Sequence, residues 1–175
     1  MKTLKLLLTA LLILFIFTSC ATVNVKTDYD SSTDFSQFKT FAFYKKGIDK
    51  AKISDLDKRR ILHAVESELK AKGMTVSNNP DILVSIFAKS KKQVNVYNNN
   101  RYWYPAYYGS YWGSHVSRYT EGTLLIDLID AKGKKLLWQG VGKGALSTSN
   151  NVTKKEARIN EFVSKIMVKY PPVKK

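Results

Sequence analysis

The sequence is short of the residues that most often carry chemistry. Among its 175 residues there is one cysteine and there are two histidines. A single thiol excludes an internal disulfide and any CxxC metal or redox site. His63 and His115 are far apart in the chain, and neither a nucleophile elbow nor a glycine turn between strand and helix start is present, so the common hydrolase and nucleotide-binding signatures are missing. Acidic residues are also scarce, 14 Asp and Glu against 29 Lys and Arg, for a formal charge of +15. Long apolar runs are absent too: Leu6 to Phe17, interrupted by Thr9, falls short of the roughly 20 residues that cross a bilayer as a helix. What remains is ordinary globular material, 44% hydrophobic and 25% charged. That is enough for one core and gives no general case for disorder.

The amino terminus is a three-part export signal. Lys2 and Lys5 supply positive charge, Leu6 to Phe17 supplies the apolar stretch, and Thr18-Ser19 supplies small residues before Cys20. Thr18-Ser19-Cys20 resembles the bacterial lipobox, with Phe17 where leucine is usual. The resemblance implies cleavage after residue 19, a covalent diacylglycerol on the Cys20 thiol and an N-acyl chain on its amine, with no other cofactor. Residues 1–19 are then the leader, 20–22 the anchor and tether, and 23–175 a single domain. Two or three acyl chains, at about 0.8 kcal/mol per buried methylene, hold a protein in a membrane essentially permanently. Ala21 after the cysteine favours the outer membrane, by resemblance to envelope sorting rules, and the periplasmic face. Loss of Lys2 and Lys5 leaves a mature charge of +13. In an exported domain that charge meets anionic lipid and envelope polymers, not nucleic acid. The lysines (Lys45, Lys46, Lys50, Lys52, Lys89, Lys91, Lys92, Lys132, Lys134, Lys135, Lys154 and Lys155) are scattered over almost every expected element, which reads as a solubilising surface.

Hydrophobic spacing divides the rest. Val23, Val25 and Thr27 alternate as a first strand, and Phe38 to Lys45 as a second. Ser54 and Asp57 form a capping box before a helix over Asp55 to Lys72, with Ile61, Leu62, Val65 and Leu69 on one stripe and Gly73 as its stop. His63 falls on the opposite, solvated side. Ile82 to Ala88 is a near-continuous apolar run, as in a central strand covered on both faces. Glu121 to Asp130 and Lys135 to Leu146 form a hairpin about Ala131-Lys132-Gly133-Lys134. Thr153 and Glu156 form a second capping box before the stripe Ile159, Phe162, Val163, Ile166, Met167 and Tyr170, stopped by Pro171-Pro172. The expected fold is α+β: a mixed, mostly antiparallel sheet of about five strands, two helices packed on one face, and a long aromatic loop.

That loop spans residues 97–119 and holds nine of the 21 aromatics. Tyr and Trp offer a flat apolar face with one polar handle, suited to sugar rings, partner proteins or a membrane interface. The candidate ligand-binding residues are Trp103, Tyr104, Tyr107, Tyr108, Tyr111 and Trp112, with Arg101 and Arg118 for anionic groups. The competing reading is a low-complexity insertion packed only on itself. Gly140, Gly142 and Gly144 share a strand face with Trp138, a flat strip where a helix or ring can approach. Asp127 and Asp130 lie three apart on a strand, point to opposite faces and so do not form a catalytic pair.

Asp34 to Ala42, Glu121 to Ala131, Leu137-Trp138-Gln139-Gly140 and Lys165 to Pro172 together resemble the bacterial lipoproteins grouped as domain of unknown function 4136. The resemblance spans nearly the whole mature chain and implies an envelope lipoprotein with no established catalytic residues. The expectation is a non-enzymatic, periplasm-facing lipoprotein that binds or scaffolds an envelope component, with a glycan or protein as partner besides the membrane. The alternative is a saccharide or peptidoglycan module using the aromatic loop, and a hydrolase is the remote third.

Overall fold

The computed structural model describes residues 23–49, 51, 53–97, 115–146 and 151–173. In chain order these form β1 (Asn24–Tyr29), a 3-10 turn (Phe35–Gln37), β2 (Thr40–Phe43), α1 (Lys45–Ile48), α2 (Asp55–Ala71), β3 (Thr75–Val76), β4 (Ile82–Tyr97), β5 (His115–Asp130), β6 (Leu136–Ala145) and α3 (Val152–Met167). The strands make one sheet in the order β1-β6-β5-β4-β2-β3. β1, β6, β5 and β4 pair antiparallel, whereas β2 is parallel to both β4 and β3. The fold is therefore α+β on a mixed sheet. The strand, helix, strand order β2-α2-β4 makes the crossover that a parallel pair requires.

Alternation of side chains separates the two faces of the sheet. On β4 and β5, Ile82, Val84, Ile86, Leu124, Ile126 and Leu128 are buried toward the helices, while Leu83, Phe87, Leu125 and Ile129 point to the open face. The helices complete the core with Ile61, Val65 and Leu69 from α2 and Phe162, Val163, Ile166 and Met167 from α3. The described core runs from Val23 to Tyr170. The chain from residue 20 onward therefore carries all of it.

Local chemistry sets the boundaries. The Ser54 side chain accepts from Asp57 N at 3.2 Å and caps α2. At the other end Gly73, at φ 83, lets its own N–H reach Lys70 O and that of Met74 reach Leu69 O, the two bonds of a Schellman stop. Asp81 joins two strands: Oδ2 accepts from Lys39 N, Thr40 N and Thr40 Oγ1 at 2.9, 2.8 and 2.8 Å. These donors hold its carboxyl below the usual range. At the same end of the sheet, Trp138 and Phe35 each pack edge-on against Tyr170, at 5.5 and 5.9 Å between centroids. The Trp138 indole N–H is buried there without a partner among the described residues.

Three expectations are corrected. The sheet has six strands, because Thr75–Val76 adds an edge strand too short to show a period. A third helix, α1, follows β2 directly, where Tyr44 and Lys45 had been expected to continue the strand. α3 is capped by Asn151, whose side chain accepts from Lys154 N, and not by Thr153. In the turn of the β5-β6 hairpin, Lys134 lies in the left-handed region, at φ 55.

Candidate functional site

The largest departure from expectation leads to the site. Residues 97–119 are not one loop: Tyr97 ends β4, and His115 to Tyr119 open β5. β6 accompanies β5 only from Glu121 onward, and β2 accompanies β4 only over Ile82 to Val84. From Lys92 paired with Thr120 to Tyr97 paired with His115, the two strands pair only with each other among the described residues. They form a two-stranded arm projecting past the sheet.

Register fixes what else lies at the arm's root. Asn24, Lys143, Thr123 and Lys89 stand on one rung across four strands. β1 starts on that rung, and β4 runs opposite to β1. The chain therefore enters the fold at the end where the arm leaves it. α2 and α3 also begin here, because their first turns meet the sheet beside Ser90, Gly122 and Leu146.

Between those first turns and the sheet lies a cavity of about 350 Å³. Its floor is apolar, from Ile61, Ala88, Leu124, Ile159 and Phe162, and its rim carries Ser54, Asp57, Lys155 and Arg158. Asp57 is held on two sides, by Arg60 Nη1 at 2.9 Å and Lys155 Nζ at 3.8 Å. Arg60 also reaches Glu156 at 3.2 Å and so links α2 to α3. Arg158 lies over the Phe162 ring at 4.7 Å and donates to Ala145 O at 2.8 Å, which fixes α3 to the end of β6. An apolar floor under a partly basic rim suits an amphipathic or anionic molecule.

The residues singled out from sequence fare differently. Cys20, Arg101, Trp103, Tyr104, Tyr107, Tyr108, Tyr111 and Trp112 lie outside the described residues. Arg118 has its backbone in β5 opposite Val94, in the arm. Asp127 and Asp130 are not brought together: Asp127 accepts from Gln139 Nε2 at 2.8 Å on the open face, while Asp130 accepts from Gly133 N within its hairpin. Burial pushes the Asp127 carboxyl up. His63 is exposed on α2. Ser54, Asp57, Lys155 and Arg158 were not singled out as a group, because only the tertiary fold brings the two helices together at this end.

The sequence matches the family described as Domain of unknown function (DUF4136) over residues 25–172. The chain belongs to that family. Several solved structures resemble this DUF4136 domain. A PDZ domain protein from Parabacteroides distasonis is 24% identical with a TM-score of 0.57, and the alignment covers 97% of this chain and 40% of that one. The chain thus spans well under half the length of that protein, and the likeness is one of fold. The PelC dodecamer from Paraburkholderia phytofirmans, in two space groups, is 10% and 11% identical with TM-scores of 0.48 and 0.47; 83% of this chain aligns to 95% and 96% of those chains. No curated protein matches the sequence.

Proposed function

We propose that this DUF4136 domain is a non-enzymatic lipoprotein of the bacterial cell envelope, anchored through acylated Cys20 at the outer membrane and facing the periplasm. There it binds or scaffolds an envelope component. The observation that supports this is the entry of the chain. Val23, three positions after the cysteine, is already 6% exposed within the core. Asn24 then starts a strand, so the distance from a lipidated thiol to rigid structure is a few residues. A leader ending in Thr18-Ser19, with Cys20 followed almost at once by the fold, is what a close tether requires.

Metabolic labelling with palmitate and mass spectrometry of the mature polypeptide test it. The expected result is an acylated amino-terminal Cys20 peptide with the leader gone, and loss of label and of membrane fractionation in Cys20→Ser. An unmodified thiol on a cleaved chain, or an uncleaved leader, would overturn the reading.

A further inference from the structure

Lysines scattered along the sequence are gathered by the fold at one end. Lys89 and Lys143 flank Thr123 on the first rung of β1, Lys91 and Lys92 follow up the arm, and Lys154 and Lys155 lie in the first turn of α3. Lys89, Lys91, Lys92, Lys143 and Lys154 are exposed and Lys155 is partly so. On the strands, from Lys89 to Val94 on β4 and from Tyr119 to Thr123 on β5, the one acid is Glu121, whose Oε2 accepts from Gln93 Nε2 at 2.9 Å; at the helix starts Asp57 is held by Arg60 and Lys155 and Glu156 by Arg60.

The tether adds a constraint. Cys20 is four positions before Asn24 and so can lie at most about 14 Å from that rung. β4 runs eight residues past the same rung, from Lys89 to the arm's end at Tyr97, about 27 Å, in the direction from which the chain enters. A bilayer that holds the thiol is nearer the rung than the arm's end is. A surface that meets the thiol on the arm side of that rung has the arm along it or within it, and brings the arm's lysine-bearing root to the headgroups.

We propose that this end of the domain, the arm root with Lys89, Lys91, Lys92 and Lys143 and the start of α3, is a docking surface for the anionic phospholipid face of a bilayer. The inference rests on the anchored reading for the position of the membrane. It adds a second, non-covalent contact that fixes the orientation of the domain. An oriented domain presents its open sheet face sideways and keeps the cavity at the lipid boundary.

The test uses residues 20–175 with Cys20→Ser, which carry the described core and no lipid. Sedimentation with phosphatidylglycerol vesicles is expected to show binding that phosphatidylcholine vesicles lack and that fades as salt rises from about 0.05 to 0.5 M. Each lysine at the surface contributes about five-fold. The triple change Lys89→Glu, Lys91→Glu, Lys143→Glu is then expected to weaken binding more than a hundred-fold. The same change of charge at the opposite end, Lys39→Glu, Lys72→Glu, Lys169→Glu, is expected to leave most of it. All six positions are exposed, and circular dichroism checks that each variant is folded. Equal binding to the two lipids, or equal loss in the two triples, would overturn the proposal. Because this chain carries no acyl group, such a result refutes the surface and leaves the anchor standing, whereas an unmodified Cys20 in the labelling experiment refutes the anchor alone.

Discussion

Tyr170 is 4% exposed, closed in by Trp138 and Phe35, and burial pushes its phenol up to about 12 from 10.0. Desolvation opposes the phenolate, so the folded chain keeps its proton at a pH where the unfolded chain has lost it. The sign follows from linkage: below pH 10 both states are protonated and stability is unaffected, and from 10 toward 12 the unfolded state binds fewer protons, so stability falls. The slope approaches about 1.4 kcal/mol per pH unit. Thermal melts between pH 9 and 12 are expected to show this decline, and Tyr170→Phe to flatten the part due to this group. An unchanged slope in Tyr170→Phe would show that the phenol is not the group responsible. Its burial was readable from the spacing of the last apolar stripe, although α3 ends at Met167 and Tyr170 lies just beyond the helix. The shift was not, because it comes from rings contributed by the 3-10 turn and by β6.

Between β6 and α3, contact depends on the missing side chains of two glycines. A Cβ on Gly140 would come within 2.4 Å of both Ile166 Cγ2 and Trp138 Cη2, and one on Gly142 within 2.8 Å of Ile166 Cδ1. The flat strip read from the glycine alternation is thus where α3 lies down. Gly122 offers a contrast, since a Cβ there meets Leu146 Cδ2 at 2.4 Å, the end of an exposed and flexible side chain. Gly140→Ala is expected to destabilise by about 1–3 kcal/mol through overpacking against a branched residue and a fixed ring. Gly122→Ala is expected to cost well under half as much, because Leu146 can turn away. Chemical denaturation of both variants checks this, and equal losses would contradict it. The example also marks how far the sequence could be read. Strand and helix cores, the β2-α2-β4 crossover and the glycine strip follow from periodicities that burial enforces. The arm did not follow, because the Asn, Tyr and Gly of residues 98–113 give the whole stretch a loop composition, and the pairing of residues 92–97 with 115–120 that makes them sheet is a tertiary contact. The cavity and the lysine cluster were likewise hidden, since they are assembled from β4, β5, β6 and two helix starts that sequence order keeps apart.

Stability should be graded along the length of the molecule. At the sheet's centre, Ile126 and Leu128 of β5 have a strand on each side and the helices above, and exposures of 0% and 1%. Before Glu121 the same strand has one neighbour among the described residues, and Val94 across the arm is 56% exposed. A two-stranded ribbon of that kind is marginal in water, so it can open without unfolding the rest. Hydrogen exchange followed by mass spectrometry is expected to show the amides of residues 124–128 exchanging only with global unfolding. Those of 116–120 and 92–96 should exchange at least a hundred-fold faster through local opening. If the arm root rests on headgroups, phosphatidylglycerol vesicles should slow the second set and leave the first unchanged. An arm as protected as the centre in water alone would mean that something other than β4-β5 pairing supports it. Among the described residues the arm's strands pair only with each other, so a surface that the arm meets can add to its order.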